Sequence, residues 1–281
     1  MIKSIYRFIH PRFQNLFLEY RVNQRPRYGH GRAGHPRLEE FVLNYADRYQ
    51  EHIQIMHGAK EDVLQMPQKI TESLGQKVTW KNEYFPALDM ISLYAMIGHY
   101  KPKRYLEVGS GYSTLISAQA KRDSDLEMNI TCIDPQPRKT ISSIADRQIL
   151  NRLEDVNQGC FEDLEEGDFL FIDNSHRLLP NSDVLVFFLE ILPELPRGVI
   201  IHIHDIYIPF DYPQFMCDRF YSEQYALAIA LLNNPNRYEI LLPNYYLSQT
   251  TQFKSETDEI LNWSDLGIVD RHGGSFWFRI N

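Results

Sequence analysis

From Phe85 onward, the chain alternates short apolar runs with segments in which apolar residues recur at helical spacing. The runs predict buried strands, and the segments between them predict connecting helices. The expected elements are a helix at 88–100, a strand at 104–109, a helix at 113–121, a strand at 130–134, a helix at 138–150, a weaker strand near Val156, a strand at 168–173, a helix at 182–192, a strand at 198–205 and a helix at 221–232. This alternation is typical of an α/β fold with a doubly wound, mainly parallel sheet.

The two ends of the chain depart from this alternation. Two further strands, 238–242 and 275–280, have no convincing sheet-crossing helix between them. We expect them to be antiparallel neighbours, the second inserted beside the parallel set, in a sheet of seven strands. Before the sheet, the pattern predicts a loop rich in Gly, Pro and Arg at 24–36 and helices at about 38–56 and 60–74. The predicted organisation is a helical and loop extension over residues 1–80 and one α/β domain over residues 81–281.

Composition excludes several classes of protein. The 281 residues are 43% hydrophobic and 23% charged, so the chain can bury a core and is not a disordered, collagen-like or coiled-coil protein. Its three cysteines form no CxxC pair, and no apolar run is long enough to span a membrane. We therefore expect a cytoplasmic protein without disulfides or a transmembrane segment.

Charge is divided unevenly along the chain. The formal net charge is −8, yet the first 50 residues carry nine basic and four acidic side chains, which leaves −13 on the remainder. An acidic body is a poor partner for nucleic acid. The basic N-terminal segment has apolar residues on one helical face. It is compatible with a membrane surface, with packing on its own domain, or with a homodimer. The apolar positions are Ile2, Ile5, Tyr6, Phe8 and Ile9.

A turn with two glycines joins the first strand to the next helix. It reads Glu107-Val-Gly-Ser-Gly-Tyr-Ser113, and its glycines let the backbone approach a ligand closely. Asp134 ends the second strand 25 residues after Gly109. A carboxylate there can accept hydrogen bonds from ribose hydroxyls, or cap the turn that follows. Thr114 stands where a dinucleotide-binding loop favours a third glycine, which disfavours a nicotinamide-dependent oxidoreductase.

The stretches E-V-G-S-G and C-I-D-P resemble the donor-binding motifs of class I S-adenosylmethionine-dependent methyltransferases. Two later stretches are F-I-D-N-S-H at 171–176 and G-V-I-I-H-I-H-D-I at 198–206. They are similar to a bacterial branch related to macrocin-type and cephalosporin-pathway O-methyltransferases. The resemblance to this branch extends from Tyr84 to Tyr246. It implies a Rossmann-like methyltransferase sheet that binds S-adenosylmethionine.

The resemblance also implies roles for individual residues. The methionine part of the donor would lie against Glu107, Gly109, Ser110 and Gly111, the ribose against Asp134, and the adenine against Glu162 or Asp163. Methyl transfer to a hydroxyl requires alignment of the two substrates and a route for the departing proton. The expected catalytic residues, all at strand ends, are Asp173, His176, His204 and Asp205.

A divalent metal is a second way to activate a hydroxyl. Asp173 and Asp205 would supply two carboxylate ligands, and His204 is the candidate for a third. Related metal-dependent enzymes place a further oxygen donor beside the second aspartate, whereas this chain has His204 and Ile206 there. The oxygen set for magnesium is therefore incomplete, and His204 as a base stays an alternative. His202, further from the strand end, is expected to be a core histidine.

The loop after the fifth strand is aromatic and rich in proline. Its side chains Tyr207, Phe210 and Tyr212 are expected either to contact an acceptor or to pack internally. The predicted function is methyl transfer from S-adenosylmethionine to a hydroxyl of a small molecule or saccharide. The alternative is a non-catalytic donor-binding protein that docks onto a biosynthetic assembly through the basic first 50 residues.

Overall fold

The computed structural model describes residues 6, 8–11, 14–66, 82, 85–137, 141–263 and 270–281. The helices are α1 Pro36–Leu43, α2 Ala46–Gly58, α3 Lys60–Leu64, α4 Ala87–Tyr100, α5 Tyr112–Asp123, α6 Gly159–Glu162, α7 Asp183–Val186, α8 Gln214–Cys217, α9 Glu223–Asn233, α10 Asn244–Gln249 and α11 Thr251–Leu261. The strands are β1 Arg104–Val108, β2 Asn129–Ile133, β3 Arg147–Ile149, β4 Phe169–Ile172, β5 Ile200–Ile203, β6 Tyr238–Pro243 and β7 Phe276–Ile280.

The seven strands form one sheet in the order β3-β2-β1-β4-β5-β7-β6. Strands β1 to β5 pair in parallel, and β7 is antiparallel to both β5 and β6. All residues of β4 and β5 are buried, as expected for central strands that helices cover on both faces. The predicted fold class, a doubly wound and mainly parallel sheet with an antiparallel last strand, is confirmed.

The prediction for the third strand was wrong. The segment predicted as a helix at 138–150 instead contains a single 3₁₀ turn, Ile141–Ser143, followed by β3. Residues 138–140 lie outside the described residues. The weak strand expected near Val156 is absent there, because Val156 follows a 3₁₀ turn at Leu153–Asp155. Between β6 and β7, where no sheet-crossing helix was expected, the chain forms α10 and α11.

The N-terminal helices share the core of the sheet. Helix α1 packs against α9, and α2 packs against α4, α11 and β6. Several of their apolar side chains, among them Val42 and Ile53, are fully buried in the same cluster as the central strands. The division at residue 80 stays a prediction, since residues 67–81 lie outside the described residues. Those residues include the end of the predicted helix at 60–74, and the predicted N-terminal amphipathic helix is likewise only partly described. None of the described helices has the length and apolar character needed to cross a membrane.

Four parallel strands end at the same edge of the sheet. Val108 is in register with Ile133 and Ile172, and Ile172 is in register with Ile203. The residues that directly follow these strand ends therefore lie side by side. They are Gly109, Asp134, Asp173 and His204. In open α/β sheets, this carboxyl edge is where ligands bind.

Candidate functional site

The glycine loop, residues 109–111, begins where β1 ends. Gly109 has a φ of +85°, and a Cβ added there would lie 2.1 Å from the backbone oxygen of Asp173. The backbone N–H of Gly109 donates to Ile133 at 2.9 Å, and that of Asp173 donates to Val108 at 2.9 Å. Only glycine accepts both this conformation and this contact. The loop is therefore held directly against the end of β4.

Gly111, two residues on, has no such neighbour. A Cβ added there would meet no atom within 4 Å, and its φ of 178° is extended. Beside it, Ser110 Oγ donates a hydrogen bond to Asp134 Oδ2 at 2.5 Å, while Asp134 Oδ1 accepts from the backbone N–H of Gln136 at 2.8 Å. Asp134 thus both closes its own turn and faces the glycine loop. The loop and this carboxylate border open space.

Glu107 lies beneath the glycine loop, where it has no solvent exposure. Its carboxylate accepts hydrogen bonds from the hydroxyls of Ser113 and Thr114, the latter at 2.8 Å. Thr114 also accepts from the backbone N–H of Gly111 at 3.1 Å. Helix α5 begins at Tyr112, one residue before the predicted start at 113, and Gly111 is its N-cap. Burial, partly offset by the two hydroxyls, raises the pKa of Glu107 to about 8.

A cavity of about 410 Å³ lies beside β3. Ile149 of β3 lines it and also accepts the backbone N–H of Asp134 at 3.0 Å. Asp163, at the end of α6, is one of its walls, whereas Glu162 is not. Of the two residues predicted near an adenine, Asp163 therefore faces a cavity. Both were expected after a strand at Val156, and they lie instead on and after the short helix α6.

The rim cluster consists of the four predicted catalytic residues, Asp173, His176, His204 and Asp205. His176 Nε2 lies 3.4 Å from Asp173 Oδ1 and 3.5 Å from Asp205 Oδ2. His204 Nδ1 lies 3.6 Å from Asp173 Oδ1 and 3.9 Å from Asp205 Oδ1. The two imidazoles therefore lie against the same two carboxylates. His176 and Asp205 have left-handed φ values of 60° and 56°, and non-glycine residues in this conformation are frequent at functional sites.

Two buried carboxylates that the sequence reasoning missed hold the outer sides of these imidazoles. Glu223, the first residue of α9, accepts from His176 Nδ1 at 2.9 Å and is fully buried. Asp89, on α4, lies 3.4 Å from His204 Nε2 and accepts backbone N–H groups of Gly274 and Ser275 at 2.7 and 3.1 Å. A single acid within the apolar pattern of α4 was the only sequence signal for Asp89.

The carboxylates determine the charge of the two histidines. Burial alone would lower the pKa of His176, but Asp173 and Glu223 outweigh burial and raise the pKa to about 10. Burial of His204 is likewise outweighed, by Asp205, Asp173 and Asp89, so its pKa is also raised. Burial would raise the pKa of Asp173, yet the two imidazoles hold that pKa well below its usual range. The rim cluster is therefore a set of ion pairs near neutral pH.

The geometry of Asp173, Asp205 and His204 fits ion pairing and does not fit metal ligation. In the part of the chain that the structure describes, no group of three or more His, Cys, Asp and Glu side chains surrounds a common metal position. We therefore derive no chemical step from a metal.

The three predicted acceptor contacts lie in two different environments. Tyr207 and Tyr212 are buried in a small cluster with Met216 and Tyr221, which matches the internal-packing alternative. Phe210 is half-buried and lines a second cavity, between the N-terminal loop and α9. Tyr221 stacks on the ring of His176 at 4.7 Å between centroids. His202 is buried and donates to or accepts from Ser275 Oγ at 2.5 Å, which confirms the prediction of a core histidine.

Residues 106–206 match the model of a methyltransferase domain family. An uncharacterised protein of Archaeoglobus fulgidus is 30% identical over 122 residues, which are 41% of this chain and 55% of that protein. The chain thus spans about half the length of the curated relative it matches.

Two solved structures are similar at low identity. One is an S-adenosylhomocysteine-bound methyltransferase of Podospora anserina, at 17% identity, with 95% of this chain and 100% of that one covered and a TM-score of 0.42. The other is an O-methyltransferase of Bacillus cereus with the same ligand, at 15% identity, with 83% and 90% covered and a TM-score of 0.37. Residues 106–206 are thus similar to a methyltransferase domain, and the strand order of the sheet is that of the Rossmann-like methyltransferase fold.

Proposed function

We propose that this protein transfers a methyl group from S-adenosylmethionine to a hydroxyl of a small molecule or saccharide. The observation that carries the proposal is the contact between Gly109 and Asp173, because it joins the glycine loop to the rim cluster. A donor on the loop and an acceptor at the rim would then lie next to each other. The narrower resemblance to the macrocin-type branch stays a prediction.

The residues around the glycine loop fit the donor. S-adenosylmethionine would supply a methyl group on a positively charged sulfur, which is a good leaving group. The open space at Gly111 leaves room for the methionine part of the donor to lie against the backbone of the loop. Asp134 can accept hydrogen bonds from the ribose hydroxyls. The cavity at Asp163 lies one strand further along the same edge and suits the adenine. The donor would therefore extend from the loop, past Asp134, towards β3.

Asp173 is the residue best placed to receive the acceptor. Its described ion pairs, to His176 and His204, both involve Oδ1, and its side chain is 39% exposed. Oδ2 can therefore accept a hydrogen bond from an acceptor hydroxyl. Because the imidazoles hold the pKa of Asp173 low, the carboxylate stays ionised and orients the hydroxyl. Alignment is the main requirement of this reaction. As the new C–O bond forms, the C–S bond breaks and the sulfur keeps its electron pair, and the hydroxyl proton passes to water, because a carboxylate with so low a pKa is a weak base.

Calorimetric titration with S-adenosylhomocysteine tests the donor site. We expect saturable binding to the wild type and a loss of about tenfold or more in affinity for Asp134→Asn, which removes a charged acceptor. Methylation of a panel of hydroxylated small molecules and saccharides, followed by mass spectrometry, tests the reaction. Asp173→Asn should slow that reaction by roughly 10²-fold, the effect expected when the acceptor hydroxyl is no longer held in alignment. Its affinity for S-adenosylhomocysteine should be unchanged, and absence of donor binding to the wild type would refute the proposal.

The alternative, a non-catalytic donor-binding protein, has one observation in its favour. The basic N-terminal segment exposes several large apolar side chains, as a docking surface would. They include Leu16, Phe17, Leu18, Tyr20 and Val22. The same experiment separates the two functions, since donor binding without any methylated product would favour the docking protein. A product whose formation depends on Asp173 would favour the enzyme.

A further inference from the structure

The second cavity, of about 380 Å³, lies away from the rim cluster, between four segments. These are the N-terminal loop at 24–36, helix α1, the loop that follows β5, and helix α9. The two loops are closely joined. The backbone N–H groups of Arg27 and Tyr28 donate to Asp211 Oδ2 at 2.5 and 3.2 Å, and the backbone N–H of His35 donates to Pro209 at 2.9 Å. The cavity is therefore built by a defined set of backbone contacts.

The walls of this cavity are mostly apolar. They include Leu38, Ile208, Pro209, Phe210, Ala228, Ile229 and Leu232. Two of the side chains on α9 are unusually exposed for their type, Ile229 at 61% and Tyr225 at 41%. The volume of the cavity falls within the range of small-molecule sites, which is roughly 300–1,000 Å³. Its walls thus present apolar surface that a small organic molecule would cover.

Two arginines give the cavity a positive edge. Arg25 and Arg27 line it and are exposed, and in the described part of the chain the arginine ion pairs involve other residues. Asp211 also lines the cavity, but its carboxylate is buried and two backbone N–H groups occupy its Oδ2. Guanidinium groups recognise carboxylate, sulfonate and phosphate oxygens with paired hydrogen bonds.

We propose that this cavity is a second binding site, for a small organic anion with an apolar ring or short alkyl body. The body would lie between α9 and the loop that carries Phe210, and the anionic group would pair with Arg25 and Arg27. The site does not depend on the methyl-transfer proposal, because neither the glycine loop nor the rim cluster contributes to its walls.

The test uses 1-anilinonaphthalene-8-sulfonate, an aromatic anion whose fluorescence reports binding. We expect one saturable site on the full chain. The double variant Arg25→Ala/Arg27→Ala should lower the affinity for the probe by about tenfold or more, because two charge-assisted contacts are lost. Ala228→Trp, which fills the cavity from α9, should remove binding. Arg37→Ala is the matched control, because Arg37 is an exposed arginine on α1 outside the cavity. The affinity of this variant for the probe should equal that of the wild type.

Ligand chemistry supplies the second arm of the test. Decanoate should displace the probe, and decanol, which has the same chain without the charge, should displace it far less. Melting temperatures equal to that of the wild type establish that the variants are folded. Equal probe binding by Arg25→Ala/Arg27→Ala and Arg37→Ala, or equal displacement by decanoate and decanol, would overturn the proposal.

Discussion

The glycine loop and the rim cluster adjoin each other, yet they are built in different ways. The loop uses residues close together in the chain, uncharged hydroxyl donors and open space beside Gly111. The rim cluster draws its charged side chains from the turns that follow β4 and β5, and α4 and α9 hold it from behind through Asp89 and Glu223. The loop thus offers shape, whereas the rim offers oriented charge. A substitution at the loop should therefore act through volume, and one at the rim through electrostatics.

Gly109 of the loop lies against the backbone of Asp173 in the rim cluster, so Gly109→Ala should have the largest effect. A φ of +85° costs alanine about 1–3 kcal/mol, and the added Cβ would collide with the backbone of Asp173. We expect a melting temperature several degrees lower, loss of S-adenosylhomocysteine binding and loss of methyl transfer. Differential scanning calorimetry and isothermal titration measure the first two.

An unchanged melting temperature and an unchanged affinity for S-adenosylhomocysteine in Gly109→Ala would contradict the coupling of the glycine loop to the rim cluster. In that case, the backbone of Asp173 moves away freely, and the two regions are not coupled. A lower melting temperature with unchanged affinity would instead separate the fold from the donor site.

Local sequence was sufficient to predict the position of the glycine loop. The order of a strand, a turn with two glycines, a helix and then an acidic strand end placed Gly109, Gly111 and Asp134 at one edge of the sheet, where the structure has them. The same rule placed Asp173 and His204 beside them. The sequence did not predict the surroundings of Glu107, whose carboxylate lies under the loop and accepts hydrogen bonds from Ser113 and Thr114.

Two other features depend on tertiary structure and were not predictable. Strand β3 has only three residues and is partly exposed at the sheet edge, so no apolar run marks it. Ile141, Ile144 and Ala145, which precede it, have helical spacing that favoured the wrong element. Asp89 and Glu223 lie on helices, far in sequence from the histidines that they contact, and no rule about strand ends applies to them.

Gly111→Ala adds volume to the glycine loop without straining its backbone. The backbone there is extended and the space is open, so alanine should leave the melting temperature within about 1 °C of the wild type, like most surface changes. If the donor fills that space, its affinity should fall by roughly tenfold or more, as expected when a methyl group blocks a close contact. Titration with S-adenosylhomocysteine gives the answer, and unchanged affinity would mean that the donor lies elsewhere.

Glu107→Gln should have the smallest effect, visible only as a change in pH dependence. Burial raises the pKa of folded Glu107 to about 8, against 4.5 when exposed, so the unfolded chain releases this proton first as pH rises. The group therefore stabilises the fold fully below pH 4.5, and that stabilisation is lost progressively up to about pH 8. Glutamine cannot ionise and keeps an oxygen for Ser113 and Thr114. From pH 5 to pH 8, the wild-type melting temperature should fall by a few degrees relative to the variant, and parallel curves would mean that Glu107 titrates normally.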